Sequence, residues 1–184
     1  MADILADILA DPSADSLQAT YRQAMRALTS AVCIVTTRYR ERRFGMTATS
    51  VTSLSMSPPA LLFCVNASAS LHDPIIGSGR FCVNILDASQ EHLAQDFGGR
   101  LLGEDRFSAG VWGQGKHGEP CLDDAQANVF CNVDAVHDYA THSIVVGLVS
   151  EVRVRGTVTP LLYQDGRYTV GLGNGIDWVV SIGG

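Results

Sequence analysis

The chain has 184 residues, 46% of them apolar and 17% charged, with a formal net charge of −6. This size and composition describe one globular domain with a sizeable core and exclude a disordered chain. The acidic balance excludes a general nucleic-acid binder, and no apolar run reaches the roughly 18–20 residues that cross a bilayer.

Residues 1–15, "MADILADILADPSAD", hold a short ADIL repeat and are expected to form a flexible arm. They lack a basic n-region, so they do not read as a secretory signal, and a cytoplasmic location is expected. Residues 16–170 form the domain. Its first segment, 16–29, places Leu17, Tyr21, Met25 and Leu28 at helical spacing, with Ser16 as the expected N-cap. "AVCIVTT" (31–37) is a strand, and Arg38, Arg40, Arg42 and Arg43 lie at the tip that follows it. That tip is a solvated hairpin end or an anion contact. The return strand runs through "FGMTATSV", and Pro58-Pro59 precede a further strand at 60–66.

"SLHDPIIGSG" predicts a short helix with Pro74 in its first turn and glycine at its end. A strand at 80–86 and a helix at 87–99 follow, the helix burying Leu93, Ala94 and Phe97 and stopping at paired glycines. Residues 100–125 are glycine-rich and irregular. Two long strands, 127–138 and 142–155, are joined through "HDYAT", and a last hairpin turns at Asp165-Gly166. Strands and helices do not alternate, so the fold is mostly β with helices: an antiparallel β-barrel, closed or partly open, rather than a doubly wound sheet.

"GLGNG" (171–175) has no room for a βαβ unit behind it, so 171–184 is read as a flexible C-terminal extension. No G-x-S-x-G elbow occurs. The five cysteines are odd in number and form no C-x-x-C; they read as free thiols, inert where they lie in strand cores. The five histidines are scattered, and no metal site is expected.

"GMTATSVTSLSMSPP" (45–59) carries seven hydroxyls and no charge between two apolar strands. In an extended chain Thr47, Thr49 and Ser53 share a face with Val51; Ser50 and Thr52 share the other with Met46, Ala48 and Leu54. Two accounts fit. Either this is an edge strand turning into a loop, or it faces a ligand rich in acceptors: a ribityl chain, a phosphate or the pyrimidine edge of a flavin. Ser55 and Ser57 read as turn residues before Pro58. "CVNASASLHD" (64–73) places Ser68 and Ser70 before a short helix, as a phosphate site or as ordinary capping by Ser70.

"YRQAMRALTSAVCIVTT", "FGMTATSVTSLSMSPP", "LLFCVNASAS", "GRFCVNIL", "EDRF", "ATHSIVVGLV" and "PLLYQDGRY" follow one another here. In order and spacing they resemble the short-chain flavin reductases, the flavin-reductase-like split-barrel family, over roughly residues 20–169. The resemblance implies a homodimeric FMN-binding split barrel of Greek-key type. It implies hydride transfer from NADH or NADPH to FMN or FAD, with reduced flavin supplied to a partner monooxygenase. No catalytic acid, base or nucleophile is implied, because the cofactors carry the chemistry.

By the same resemblance Thr47, Ala48, Thr49 and Ser50, with Ser53 nearby, line the flavin ring and ribityl chain. Asn66, Ser68 and Ser70 handle ribityl and phosphate, and Asn84 and Phe97 help close the pocket. His142, preceded by Ala140-Thr141 where the family usually has Gly-Asp, and Tyr168 lie on the nicotinamide side. A non-catalytic flavin-binding module and a flavin-dependent cob(II)alamin-type reductase remain alternatives on the same fold.

Overall fold

A computed structural model describes residues 14–156 and 158–170. The ADIL repeat and the GLGNG tail lie outside them. In chain order come α1 (Ala14–Arg26), β1 (Ser30–Ala31), β2 (Cys33–Tyr39), β3 (Arg42–Ala48), β4 (Thr52–Met56) and β5 (Pro59–Asn66). Then follow α2 (His72–Ser78), β6 (Arg80–Ile85), and α3 (Glu91–Gln95) inside a helical stretch that runs from Ala88 to Arg100. A 3-10 turn (Gly103–Phe107), β7 (Trp112–Gln114), β8 (Pro120–Leu122), β9 (Ala127–Tyr139), β10 (His142–Val154), β11 (Leu161–Gln164) and β12 (Arg167–Val170) complete the described chain.

Seven strands form one antiparallel sheet in the order β3-β2-β6-β9-β10-β5-β4, with β1-β11-β12 and β7-β8 as smaller sheets. The two edges of the large sheet, β3 and β4, are consecutive in sequence. Only residues 49–51 separate them. Four extended steps span at most about 14 Å, so the edges must curl together and the sheet becomes a barrel with one open seam. The hydroxyl-rich segment is the piece of chain that crosses this seam.

β2 explains the unbroken apolar run in the sequence. Cys33 and Val35 point into the barrel core with Phe63, Val65, Phe81, Val83 and Val145. Val32 and Ile34 point the other way, into a second core with Leu86, Leu93, Phe97, Phe107, Leu122 and Leu161. A strand covered on both faces loses the alternation of a half-exposed one. Thr36 and Thr37 are fully buried as well, and their hydroxyls donate to the carbonyls of Pro120 (2.5 Å) and Arg80 (2.6 Å).

Several boundaries depart from the sequence expectation. The first helix starts at Ala14, so Ser16 lies inside it, and the Ser16 carbonyl accepts from Thr20 Oγ1 at 2.9 Å. α2 is preceded by Leu71 without a side-chain cap, so Ser70 caps nothing. The return strand stops at Ala48 rather than Val51, and a separate hairpin, β4-β5, follows. The "HDYAT" link shrinks to Ala140-Thr141, with Ala140 at φ 50°. The helix expected at 87–99 begins with a capping box, Asp87 to the Ser89 region and Gln90 back to Asp87 N–H, legible as D-x-x-Q. The arginine tip is a two-residue turn, Arg40-Glu41, both with positive φ. Its arginines lie over Tyr39 and Phe44 or pair with Glu41 and Glu104.

Candidate functional site

β3 organises the site. Phe44, Met46 and Ala48 face the barrel core. Gly45 and Thr47 face the helical stretch instead. A Cβ on Gly45 would come within 2.6 Å of Phe97 Cε1, so only glycine lets the strand lie this close to that ring. Thr47 Oγ1 donates to the Ala94 carbonyl at 2.7 Å. A Cβ on Gly98 would sit 3.9 Å from Thr47 Oγ1 and 4.0 Å from the Tyr168 hydroxyl, which places β12 beside Thr47 across that glycine. Burial, with Tyr163 and Glu91 adding to it, pushes the Tyr168 hydroxyl above its ordinary pKa.

The seam begins one residue later. Thr49 and Ser50 are exposed. Ser50 Oγ accepts from Cys64 N–H at 3.1 Å and donates to the Cys64 carbonyl at 3.2 Å, standing in for a strand partner where β4 no longer reaches β5. The extended-chain assignment of faces therefore fails after Ala48, because the backbone bends at 49–51. Thr49 and Ser50 open onto a groove of about 630 Å³ shared with Arg22, Met25, Arg26 and Tyr163. Arg26 pairs with Asp165 at 2.9 Å and anchors α1 to the β11-β12 turn.

Two residues beyond Cys64 lies Asn66. Its Oδ1 accepts from Ser68 N–H (2.9 Å) and Ser68 Oγ (2.8 Å), an Asx turn, and its amide hydrogens meet no partner among the described residues. In the β5-β10 register His142 stands directly opposite Asn66, and Ala67 N–H donates to the Thr141 carbonyl at 3.0 Å. His142 Nδ1 lies 2.9 Å from Thr141 Oγ1, so the threonine of the departing triplet holds the imidazole ring. His72 Nε2 lies 2.9 Å from Ser143 Oγ, which donates to Asp138 Oδ1 at 2.7 Å. That chain fixes the start of α2 to the start of β10.

Thr47 and Tyr168 thus lie to either side of Gly98, Thr49 and Ser50 share one groove, Asn66 and Ser68 stand opposite His142 where β5 pairs with β10, and Ser70 lies by Arg106. Other candidates are placed differently. Ala48 is buried, and only its backbone can serve a ligand. Ser53 lies on β4 over a separate apolar groove with Val51 and Met56. Asn84 is corrected: it is fully buried, its amide donates to Ile34 O (2.8 Å) and its Oδ1 accepts from Leu122 N–H and Asn128 Nδ2, so it braces strands rather than reaching a cofactor. Phe97 is buried against Phe107 and Trp112 and supports the wall from behind Gly45. Two contributors were given no role from sequence. Thr141 holds His142, and Arg106, inside the quoted "EDRF", donates to Gly45 O at 2.6 Å. Among the described residues no helix is long and apolar enough to cross a membrane, and no cluster of metal-ligating side chains occurs.

The chain belongs to the flavin reductase like domain family, whose profile matches residues 25–171. It is 39% identical over 158 residues to the FMN reductase (NADH) RutF of Agrobacterium fabrum, covering 86% of this chain and 91% of that one. Among solved structures it is similar to the NADH:FAD oxidoreductase SgcE6 of Streptomyces globisporus, solved with NAD and FAD fragments (TM-score 0.77, 29% identity, 83% and 91% coverage). It is also similar to BorF, the flavin reductase component of a bacterial two-component tryptophan halogenase (TM-score 0.77, 28% identity, 83% and 97% coverage).

Proposed function

We propose that this chain is an NAD(P)H:flavin oxidoreductase that reduces FMN or FAD, supplies the reduced flavin to an oxygenase partner and works as a homodimer. One observation carries the reading. Thr49 and Ser50 offer hydroxyls to one groove where the chain crosses from β3 to β4, and the Asn66–Ser68 turn stands opposite His142 where β5 pairs with β10. The donor set fits a flavin: neutral hydroxyls and amide hydrogens for ring edge and ribityl chain, beside a groove in the size range of cofactor sites.

Bound flavin and reduced nicotinamide supply the hydride chemistry themselves. The protein's task would be to hold the two groups in line for that transfer and to exclude water. Thr47, fixed on the Ala94 carbonyl, sets the position of the strand under the ring. Asn66 and Ser68 orient the ribityl chain, and His142, held by Thr141, meets the nicotinamide side. Tyr168 closes the pocket across Gly98.

Purified protein mixed with each pairing of NADH or NADPH and FMN or FAD tests this. Flavin-dependent loss of the reduced-nicotinamide absorbance in at least one pairing is the expected result. No such loss in all four overturns the reading. The homodimer is supported by α1, whose Leu17 and Tyr21 are each 62% exposed and lie on one face with Met25. Sedimentation that finds a monomer at micromolar concentration would overturn that part alone.

A further inference from the structure

A relay of side chains joins α2 to the two long strands. His72 Nδ1 lies 2.8 Å from Asp73 Oδ1, and His72 Nε2 lies 2.9 Å from Ser143 Oγ. Ser143 Oγ donates onward to Asp138 Oδ1 at 2.7 Å. Ser143 is 1% exposed and the His72 side chain 14%, whereas the Asp73 carboxylate stands in solvent. No other titratable side chain among the described residues bonds the ring: neither Asp134, His137 nor Tyr139 on β9, nor His142 on β10, nor Tyr39 on β2, nor Arg80 on β6.

A neutral ring cannot complete this relay. Both of its ends are carboxylates, which only accept. The contacts from Asp73 through His72 and Ser143 to Asp138 therefore need three protons. The serine carries one, and a neutral imidazole carries one. Only the imidazolium, with a proton on each nitrogen, satisfies every contact. Once the ring is neutral, lone pairs face each other across one of them.

The relay closes a short length of chain. At one end Ala67 N–H donates to the Thr141 carbonyl at 3.0 Å, and at the other His72 bonds Ser143. Between these ties lie Ser68 and Ser70, with the Asn66 turn just before them. Ala69 N–H donates to the Asn66 carbonyl at 2.9 Å, and His72 N–H to the Ala69 carbonyl at 3.0 Å. No side chain caps α2, so the relay is the side-chain tie on its first residue.

We propose that His72 is a positioning residue that works as an imidazolium: it clasps the segment carrying Ser68 and Ser70 to the start of β10, beside His142, and the clasp loosens as rising pH takes the ring proton to solvent. Asp73 and Asp138 remain carboxylates throughout. The consequence for the cofactor, tighter flavin binding in mild acid than in mild alkali, rests on the flavin reading above.

Asp138→Asn separates charge from packing. Its amide donates to Ser143 Oγ and frees the serine proton for His72 Nε2, so the relay is complete with a neutral ring and does not respond to pH. Amide hydrogen exchange at Ala67, Ala69 and His72 is compared between wild type and Asp138→Asn at about pH 6 and about pH 8.5, on either side of the range in which histidine titrates. The ratio of wild type to variant cancels the intrinsic pH dependence of exchange. It is expected to rise about two- to fivefold between the two pH values, the worth of one hydrogen bond at a partly exposed site. FMN titrated by flavin fluorescence under the same conditions gives a second ratio, in which titration of the phosphate cancels. Wild type is expected to weaken relative to the variant by a similar factor. An exchange ratio that stays constant with pH overturns the proposal. An exchange step without an FMN step overturns the role in positioning the flavin segment. Wild type that binds no FMN at either pH, with the exchange step present, fails the flavin reading and supports the clasp. If Asp138→Asn does not fold, His72→Gln, whose amide does not titrate, becomes the reference, and a constant ratio against it overturns the proposal in the same way.

Discussion

Single hydroxyls in the seam segment differ in what they do, although the sequence presents them alike. Ser50 bonds both backbone groups of Cys64, so Ser50→Ala is expected to lower stability by about 1–2 kcal/mol, seen as a reduced melting temperature. Ser55 Oγ accepts from Ser57 N–H at 3.1 Å, the turn role expected of it. Thr49 makes no such bond and stays open to the groove. His142 stands across from Asn66 at the edge of the seam, so His142→Ala should raise the KM for NADH or NADPH well above any change in the flavin KM. An unaltered nicotinamide KM in steady-state kinetics would remove it from that role. Asp87 shows a pH effect at the same scale. Its carboxylate accepts from the Thr159 hydroxyl, from Ser89 N–H and from Ser89 Oγ, and these bonds hold its pKa below the ordinary aspartate value. A depressed folded-state pKa adds stability that is present above the unfolded pKa and lost as the pH falls through the folded one. Asp87→Asn should therefore be less stable than wild type at neutral pH, with the gap closing in acid, as read from denaturant midpoints across the pH range. Burial pushes the Cys33 and Cys131 thiols up to about 12, so both should resist thiol reagents at neutral pH until the chain unfolds.

Elements place these residues by the way two of them pack. β2 is buried on both faces, and its neighbour β3 sends alternate residues into the barrel and toward the helical stretch. Gly45 is the point of closest approach between β3 and Phe97. Gly45→Ala puts a Cβ at 2.6 Å from one ring atom and 2.9 Å from another, with Thr36 Cγ2 at 3.2 Å. The ring is wedged against Phe107 and Trp112 and cannot swing away. The expected cost is about 1–3 kcal/mol by overpacking, read from chemical denaturation. The helical amphipathicity of 16–29 was legible in sequence, but the apolar face does not enter this chain's core. Periodicity reports that a face needs a partner; it does not say which surface supplies one.

At the scale of the whole molecule, the seam and the exposed face of α1 adjoin. α1 sits over the groove that opens at Thr49 and Ser50, tied to the β11-β12 turn through Arg26 and Asp165. Its Leu17 and Tyr21 are exposed, and the proposed dimer would cover them. Leu17→Asp with Tyr21→Asp should shift the protein toward monomer in sedimentation. Flavin affinity should fall with it if the partner helps to shape the groove.

The long strands, the tight turn at Asp165-Gly166 and the uncharged hydroxyl segment were written in local pattern, whereas the β4-β5 hairpin and the β7-β8 pair inside 100–125 were not. Each of the former depends on residues within a few positions of one another, where periodicity and turn chemistry act. What the sequence did not carry is the set of meetings between distant residues: Ser50 with Cys64, Thr47 with Ala94, His142 with Asn66, Arg106 with Gly45 and Ser70. It also could not separate Asn84, consumed by its neighbours in the core, from Asn66, whose oxygen is engaged only by the Ser68 turn. Both asparagines follow a valine in an apolar strand, the same local pattern V-N. Only barrel curvature, which brings the first edge of the sheet onto the last, decides which polar groups are used up by the fold and which remain for a ligand.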